Sequence, residues 1–417
     1  MKKFFACFIC LSLVACASKN STDLHDNVVF LDYAAAYGIN AESLREFVRV
    51  CHLRGNSSGI NPHAEQLKKI EAQAKIIIAK KIGADPNQIH FTFGATEANN
   101  IAILGVAYKN PGCHLITSKI EHKSVLNVFK HLEAQGWKVT YLDVDKEGNV
   151  IFNRSYIRPD TKLISIQMLN SEIGTLQNIE KIGAIAHEYG ILFHTDASQA
   201  FCKYDIDVNK MNLDLVTISG YKVGSPKGIG ALYVRDARKL NPILFGSGDE
   251  FCPGTKPTAL IAAFAKAVET FKFDKNRVMQ NYMILVEELK KISDIRINSS
   301  RPSHIVSVSI GGVLLDDILS RMKNYSFSAG CSCLGKNMSN VIAAIDPNDK
   351  LPASTLRISF SDNISADQLI RFSRTLKKVV EQLRKEKIVE KGCAVDITQH
   401  QEQLQKNLEK IQDFLKK

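Results

Sequence analysis

The chain has 417 residues, 45% of them hydrophobic and 23% charged, and a net charge of +11. That length is enough to bury a large core and to hold more than one domain. The basic residues are spread along helices rather than clustered with aromatics, which argues against a nucleic-acid-binding protein, and there is no internal repeat or low-complexity block.

In chain order, Met1-Lys2-Lys3 followed by Phe4 to Ala15 has the basic start and short apolar run of a secretory signal. The run is too short to span a membrane as a helix. Leu13-Val14-Ala15-Cys16 resembles the bacterial lipoprotein box, in which Cys16 would be lipidated and become the new N-terminus. The expected layout is a signal over residues 1–16 and a polar tether over 17–28, giving a membrane-anchored lipoprotein of a bacterial cell envelope. A mis-assigned start codon on a cytoplasmic enzyme is the alternative. No second long apolar run follows, so the membrane is expected to be met only through the lipid. The ten cysteines are scattered, which fits a reduced compartment better than a disulfide scaffold.

Apolar runs at Leu115–Ser118, Val139–Leu142, Leu163–Gln167, Leu192–Thr195, Leu215–Ile218 and Gly230–Val234 alternate with amphipathic segments, the pattern of an α/β body. Phe91-Thr92-Phe93-Gly94-Ala95-Thr96-Glu97 reads as a strand, a glycine turn and a helix start, where free N–H groups and the helix dipole favour a phosphate. An ordinary capped helix would look the same. Ile191 to Asp196 is an apolar strand ending in an acid. That acid either points into a ligand crevice or caps a helix. Leu215 to Ser219 is another strand, and Gly220-Tyr221-Lys222 follows it directly. A lysine fixed at a strand end among apolar residues can act as a free amine on carbonyls, which suits a Schiff base with pyridoxal 5'-phosphate (PLP). Asp274 to Ile292 reads as a helix. Beyond it, Ile397, Leu404, Leu408, Ile411 and Leu415 recur at helical spacing, predicting an amphipathic C-terminal helix over 391–417.

These segments together resemble the NifS-like cysteine desulfurases among the class V aminotransferases. The resemblance runs from Leu31-Asp32-Tyr33-Ala34-Ala35 through Gly94 to Asn100, Ile120 to Leu126, Asn170 to Gln177, His194 to Gln199, Ser219 to Val234 and Phe327 to Cys333, ending at Leu356-Arg357-Ile358-Ser359. It implies the type I PLP-dependent transferase fold: an α/β architecture with a large domain built on a mostly parallel seven-stranded sheet, plus a smaller C-terminal α/β domain. The expected division is an N-terminal segment over 29–40 joining the small domain, a large PLP-binding domain over 41–270 and a small domain over 271–390.

The resemblance also implies roles. Lys222 would bind PLP covalently and later move the Cα proton. Asp196 would pair with the pyridine nitrogen, Gln199 with the ring's phenolic oxygen, and His122 would stack on the ring. Ala95, Thr96, Ser219, Tyr221 and, from the partner subunit of a homodimer, Thr255 would hold the cofactor's phosphate end. Asn170 would lie at the substrate, and Arg357 would clamp its carboxylate. Cys333, on a small flexible run, would take sulfur from L-cysteine as a persulfide and leave L-alanine. Cys331 is a second candidate thiol. A Cys-x-Cys pair offers too few ligands for zinc, and no metal is expected. A sulfur-acceptor protein is an expected partner; nucleic acid is not.

The chain also departs from the family pattern. Tyr221 replaces a histidine, Ser171 an asparagine and Tyr33 an asparagine. Gly246 to Thr255 is about two residues short and lacks two arginines. These changes keep two alternatives open: a class V lyase or aminotransferase for another amino acid, and a non-catalytic lipid-anchored member of the fold.

Overall fold

The computed structural model of the chain describes residues 28–329, 339–346 and 354–387. The leader with Cys16, the Cys331 and Cys333 loop, and the tail over 391–417 lie outside the described residues.

The strands in chain order are β1 (Val29–Phe30), β2 (Ile89–Thr92), β3 (His114–Ser118), β4 (Lys138–Leu142), β5 (Thr161–Ser165), β6 (Leu192–Asp196), β7 (Leu215–Ser219), β8 (Gly230–Val234), β9 (Ile295–Ile297), β10 (Ile305–Ile310), β11 (Tyr325–Ser326), β12 (Ser328–Ala329) and β13 (Thr355–Ser359). Seven of them form one sheet in the order β2-β8-β7-β6-β5-β3-β4. Strand β8 runs antiparallel to both its neighbours, and the remaining pairs are parallel. Strands β3, β7 and β8 are buried at every position. That is why they read as continuous apolar runs rather than as alternating ones: sheets covered on both faces have no solvent side.

Because β8 alone is reversed, the carboxyl ends of the other six strands lie along one edge. The segments leaving β2, β3, β5, β6 and β7 carry Gly94, Glu121 with His122, Gln167, Asp196 and Lys222. This edge is where open α/β sheets bind ligands. The layers over the sheet include the helices Ala95–Lys109, Lys123–Ala134 and Thr258–Thr270, with Phe129, Phe193 and Phe264 fully buried between sheet and helices. Each such ring adds about 2–3 kcal/mol of burial.

The second body is a four-stranded sheet, β12-β13-β10-β9, with the parallel pair β1-β11 beside it. Leu31, Tyr282, Phe360 and Phe372 share its core, so residues before the first long helix pack with residues after 270. The expected helix at Asp274 is Lys275–Leu289, with Asp274 as its N-cap accepting from the amides of Asn276 and Arg277. Among the described residues, no helix is long and apolar enough to cross a membrane.

Candidate active site

One cavity of about 600 Å³ opens at the carboxyl edge of the large sheet and reaches Arg357 on β13. Of the residues expected at the site, Lys222, Asp196, Gln199, His122, Ala95, Thr96, Ser219, Tyr221 and Arg357 all line it. Asn170 and Thr255 do not, and Cys333 falls outside the described residues.

Lys222 sits in the tight turn Gly220–Val223 that closes directly off β7. Gly220 allows the turn because a Cβ there would stand 3.0 Å from the Ile229 carbonyl oxygen. The Lys222 ammonium donates to the carbonyls of Ala34 and, at 2.8 Å, Ala35, and it lies 4.8 Å from the centre of the Tyr221 ring. Burial, then the positive charges of Arg357 and Lys203, push its pKa down to about 7 against the attraction of Asp32 and Asp196. A lysine in this state is a nucleophilic amine for part of the time at neutral pH.

Asp196 ends β6 and caps no helix. Its carboxylate accepts from the Ser198 amide and from the Asn99 side chain, both at 2.9 Å. Asn99 also donates to Ser124 at 2.9 Å, which ties Asp196 to the helix below His122. His122 is that helix's N-cap, and its Nδ1 accepts from the Ser124 amide at 3.1 Å. Accepting at Nδ1 leaves the ring proton on Nε2. Burial, with Lys222 and Lys123 nearby, holds the His122 pKa below the usual imidazole range, although Asp196 pulls it up.

Glu121, next to His122, is almost completely buried. Burial pushes its carboxyl up to about 8, even though Ser118 and the Gln167 amide donate to it. Asn170 is a brace rather than a cavity residue. Its Nδ2 donates to the Ile120 carbonyl at 3.1 Å, and its Oδ1 accepts from the amides of Glu172 and Ile173 at 2.8 and 2.9 Å. These bonds hold two loops together, and its neighbour Ser171 lines the cavity.

A helix start at the cavity provides the means of holding an anion. Gly94, the N-cap of Ala95–Lys109, has φ +144°, and no side chain caps the helix. The first-turn N–H groups therefore keep their unmatched donors and dipole, as an anion site requires. The pocket also leaves buried polar atoms without partners: Ser198 Oγ, Gln199 Oε1, Ser219 Oγ and Arg357 Nε. Native proteins rarely orphan so many buried polar groups in one place without a ligand to meet them. The residues fit a phosphorylated pyridine: the helix start and Ser219 at the phosphate, Asp196 at the ring nitrogen, His122 over the ring, Gln199 at the ring oxygen and Lys222 at the carbonyl.

Arg357 is set from three sides. It donates to the Ser171 carbonyl, the Asp32 carboxylate and the Ser328 hydroxyl, each at 2.9 Å. Ser328 in turn donates to Asp32 at 2.9 Å. Asp32 thus aims Arg357, and its part is not evident from its motif alone. Glu172, which accepts from Ser339, is raised by burial and lowered by Ser339, Arg357 and Lys123.

The shortened loop before Thr255 is held by a latch. The Asp249 carboxylate accepts from His90 Nδ1 at 2.8 Å, from the amides of Phe251 and Cys252 at 3.1 and 3.2 Å, and from Lys256 Nζ at 3.3 Å. Although burial opposes it, the hydrogen bond and charge of His90, with Lys256, hold this carboxyl well below the usual range. Thr255 stands at the surface, where its hydroxyl accepts from Asn56 at 3.4 Å.

Comparison with known proteins places the arrangement. The family model described as aminotransferase class-V matches residues 29–372. The chain is 37% identical over 349 residues to a cysteine desulfurase IscS of Ehrlichia chaffeensis, covering 78% of this chain and 85% of that one. It is 34% identical over 377 residues to a cysteine desulfurase IscS of Vibrio vulnificus, covering 85% and 93%. A solved structure described as SspA in complex with cysteine is similar at TM-score 0.72 and 39% identity, covering 80% of this chain and 98% of that one. One described as a NifS-like protein is similar at TM-score 0.76 and 26% identity, covering 85% and 99%. The chain therefore belongs to the class V aminotransferase family, as a pyridoxal-phosphate-dependent enzyme of the cysteine desulfurase kind.

Proposed function

We propose that the chain converts L-cysteine to L-alanine, with the sulfur passing to Cys333 as a persulfide. The observation that carries this reading is the convergence of Lys222, Asp196, His122 and Arg357 on one cavity. Bound PLP supplies an electron sink that loosens the bonds at the amino acid's α- and β-carbons. The protein's own groups do the rest. Arg357, aimed by Asp32, takes the substrate carboxylate. Lys222, with its proton weakly held, removes and returns a proton at Cα. Neutral His122 would stand over the ring and could hold a proton at Nε2. The Cys333 thiolate attacks the substrate sulfur, so that an S–S bond forms as the Cβ–S bond breaks. Cβ then takes a proton, and cysteine plus thiol becomes alanine plus persulfide with no external oxidant. Ile120, Leu169 and Val341 wall the cavity and limit water.

The test is to give the PLP-loaded full chain L-cysteine with a reductant present and to assay alanine and sulfide. Equal amounts of both are expected, and Cys333→Ser should abolish turnover while Cys331→Ser retains it. Turnover that survives Cys333→Ser would move the reading to a class V lyase or aminotransferase acting without a thiol.

The working form is a homodimer in which Thr255 reaches the second copy's cavity. Support comes from two large apolar side chains left exposed, Phe93 on the cavity lining and Phe245 at the start of the 246–255 loop. The leader places the protein on a membrane through Cys16, and the persulfide goes on to an acceptor protein. Cys16→Ser should release the protein from membrane fractions, and a wild type found already free of them would remove the anchor.

A further inference from the structure

Lys222 is not the only lysine buried here. Lys203 is 1% exposed and does not line the cavity. It sits one turn after Gln199, and its ammonium donates to the Gln199 carbonyl at 3.3 Å and to the carbonyl of Lys222 itself at 3.1 Å. Its charge lies 5.1 Å from the centre of the Tyr37 ring. Among the described residues, no carboxylate is within ion-pair distance of it. The segments it joins are the turn after β6 and the turn after β7, which carry two of the residues placed against the cofactor.

The surroundings make a second charge expensive. Lys222 faces Lys203 behind it, Arg357 from β13, Asp32 from the N-terminal segment, Asp196 from β6, His122 from the helix start after β3, and its own neighbour Tyr221. Lys203 faces Tyr37, Cys202 and His304. Asp32 is already engaged by Arg357, and Asp196 by Asn99 and Ser198. His304 is fully buried with both ring nitrogens unpartnered, and burial together with Lys203, Lys222 and Arg357 keeps it neutral. The site thus has Arg357 as a permanent cation and two buried lysines, one donating to the other's backbone carbonyl. Lys203 acts against the charge of Lys222, and neighbouring like charges cannot both be kept cheaply in a buried site.

We propose that Lys203 is a positioning residue for Lys222: its ammonium pins the Lys222 and Gln199 turns together, and its charge works against a second charge on Lys222. The cation–π contact and the two carbonyl acceptors favour the charged form of Lys203, while burial pushes its pKa down to about 7 against the pull of Cys202, so the two lysines titrate as a coupled pair. Arg357 and Lys203 act together against the charged form of Lys222. A larger share of Lys222 can then meet the cofactor's carbonyl as the free amine.

This inference rests on Lys222 being the cofactor-binding lysine, and the experiment separates the two. The full chain, freed of cofactor, is labelled competitively with acetic anhydride across a pH series, and the labelling midpoint of Lys222 is read by peptide mass spectrometry. The wild-type midpoint is expected near 7. Lys203→Met should raise it by about one pH unit, whereas Lys203→Arg, which is always charged, should leave it no higher than wild type. The pH at which added PLP binds at half its maximal rate should move in step, whereas a merely structural role would lower the amount bound without moving either midpoint. An unmoved midpoint in a folded Lys203→Met chain overturns the proposal. If that variant does not fold, Lys203→Gln takes its place. A wild-type midpoint near that of a solvated lysine, about 10, overturns it with no variant at all. Lys222→Ala that still develops the cofactor's visible band would instead remove the Lys222 assignment and leave the labelling result standing.

Discussion

Asp32 Oδ1 accepts from Arg357 Nη2 at 2.9 Å, joining residues 325 positions apart across the junction of the two sheets. Both side chains are mostly buried, at 17% and 10% exposure. The pair brings the segment just after β1 and the inner strand β13 of the small sheet to the mouth of a cavity built by the large sheet. Arg357 keeps Nε without a partner, so the pair fixes the guanidinium without exhausting it.

Asp32→Asn should therefore act on the substrate rather than on the cofactor. The neutral amide accepts less strongly and leaves a buried cation less well matched. KM for the amino acid should rise about tenfold, a loss of about 1.4 kcal/mol, with PLP affinity changed far less. Steady-state kinetics beside a cofactor titration check this, and equal losses in both would sink the assignment.

Glu121 gives a pH signature. Its folded carboxyl is raised by burial to about 8 from a reference value of 4.5. Between those two values the folded state keeps a proton that the unfolded state releases, so this group's stability contribution is complete below 4.5 and is lost as pH rises toward 8. Glu121→Gln carries no such proton. Its stability relative to wild type should climb between pH 5 and pH 8, by on the order of 3 kcal/mol. Urea unfolding of both chains at the two pH values measures this, and a pH-independent difference would show that Glu121 is ionised when folded.

Asp249 holds the loop that ends at Thr255. Asp249→Ala removes an acceptor shared by four donors and leaves His90 and Lys256 unmatched. The expected cost is about 3 kcal/mol, with faster hydrogen exchange at the amides of Phe251 and Cys252. Unchanged protection at both amides would mean that the loop is held by something else, such as the fully buried Phe251 ring.

Much of the site was legible in the sequence because its residues sit on short, contiguous pieces of chain. Gly94 to Thr96, Glu121-His122, Asp196 to Gln199 and Ser219 to Lys222 each leave the end of a strand, and apolar runs mark strands well. The part Asn170 plays in the fold was not legible, because its motif records an amide there and not which way it faces. Its three hydrogen bonds turn it into a brace between Ile120 and the Glu172 loop. Lys203 went unread because a lone lysine in a polar stretch has the same local pattern whether solvated or buried.

The sequence by itself determined the alternation of strands and helices, the strand-end placement of Lys222 and Asp196, and the motifs that mark the family. Periodicity, turn residues and short-range order are local properties, and a sequence displays them directly. The tertiary structure decided everything that depends on two distant segments meeting: Arg357 aimed by Asp32, Asp196 braced by Asn99, the Asp249 latch on His90, and Lys203 seated on the carbonyl of Lys222. It also decided the protonation of Lys222, since the depressed pKa comes first from burial and then from cations on other elements, and neither exists until the chain has folded.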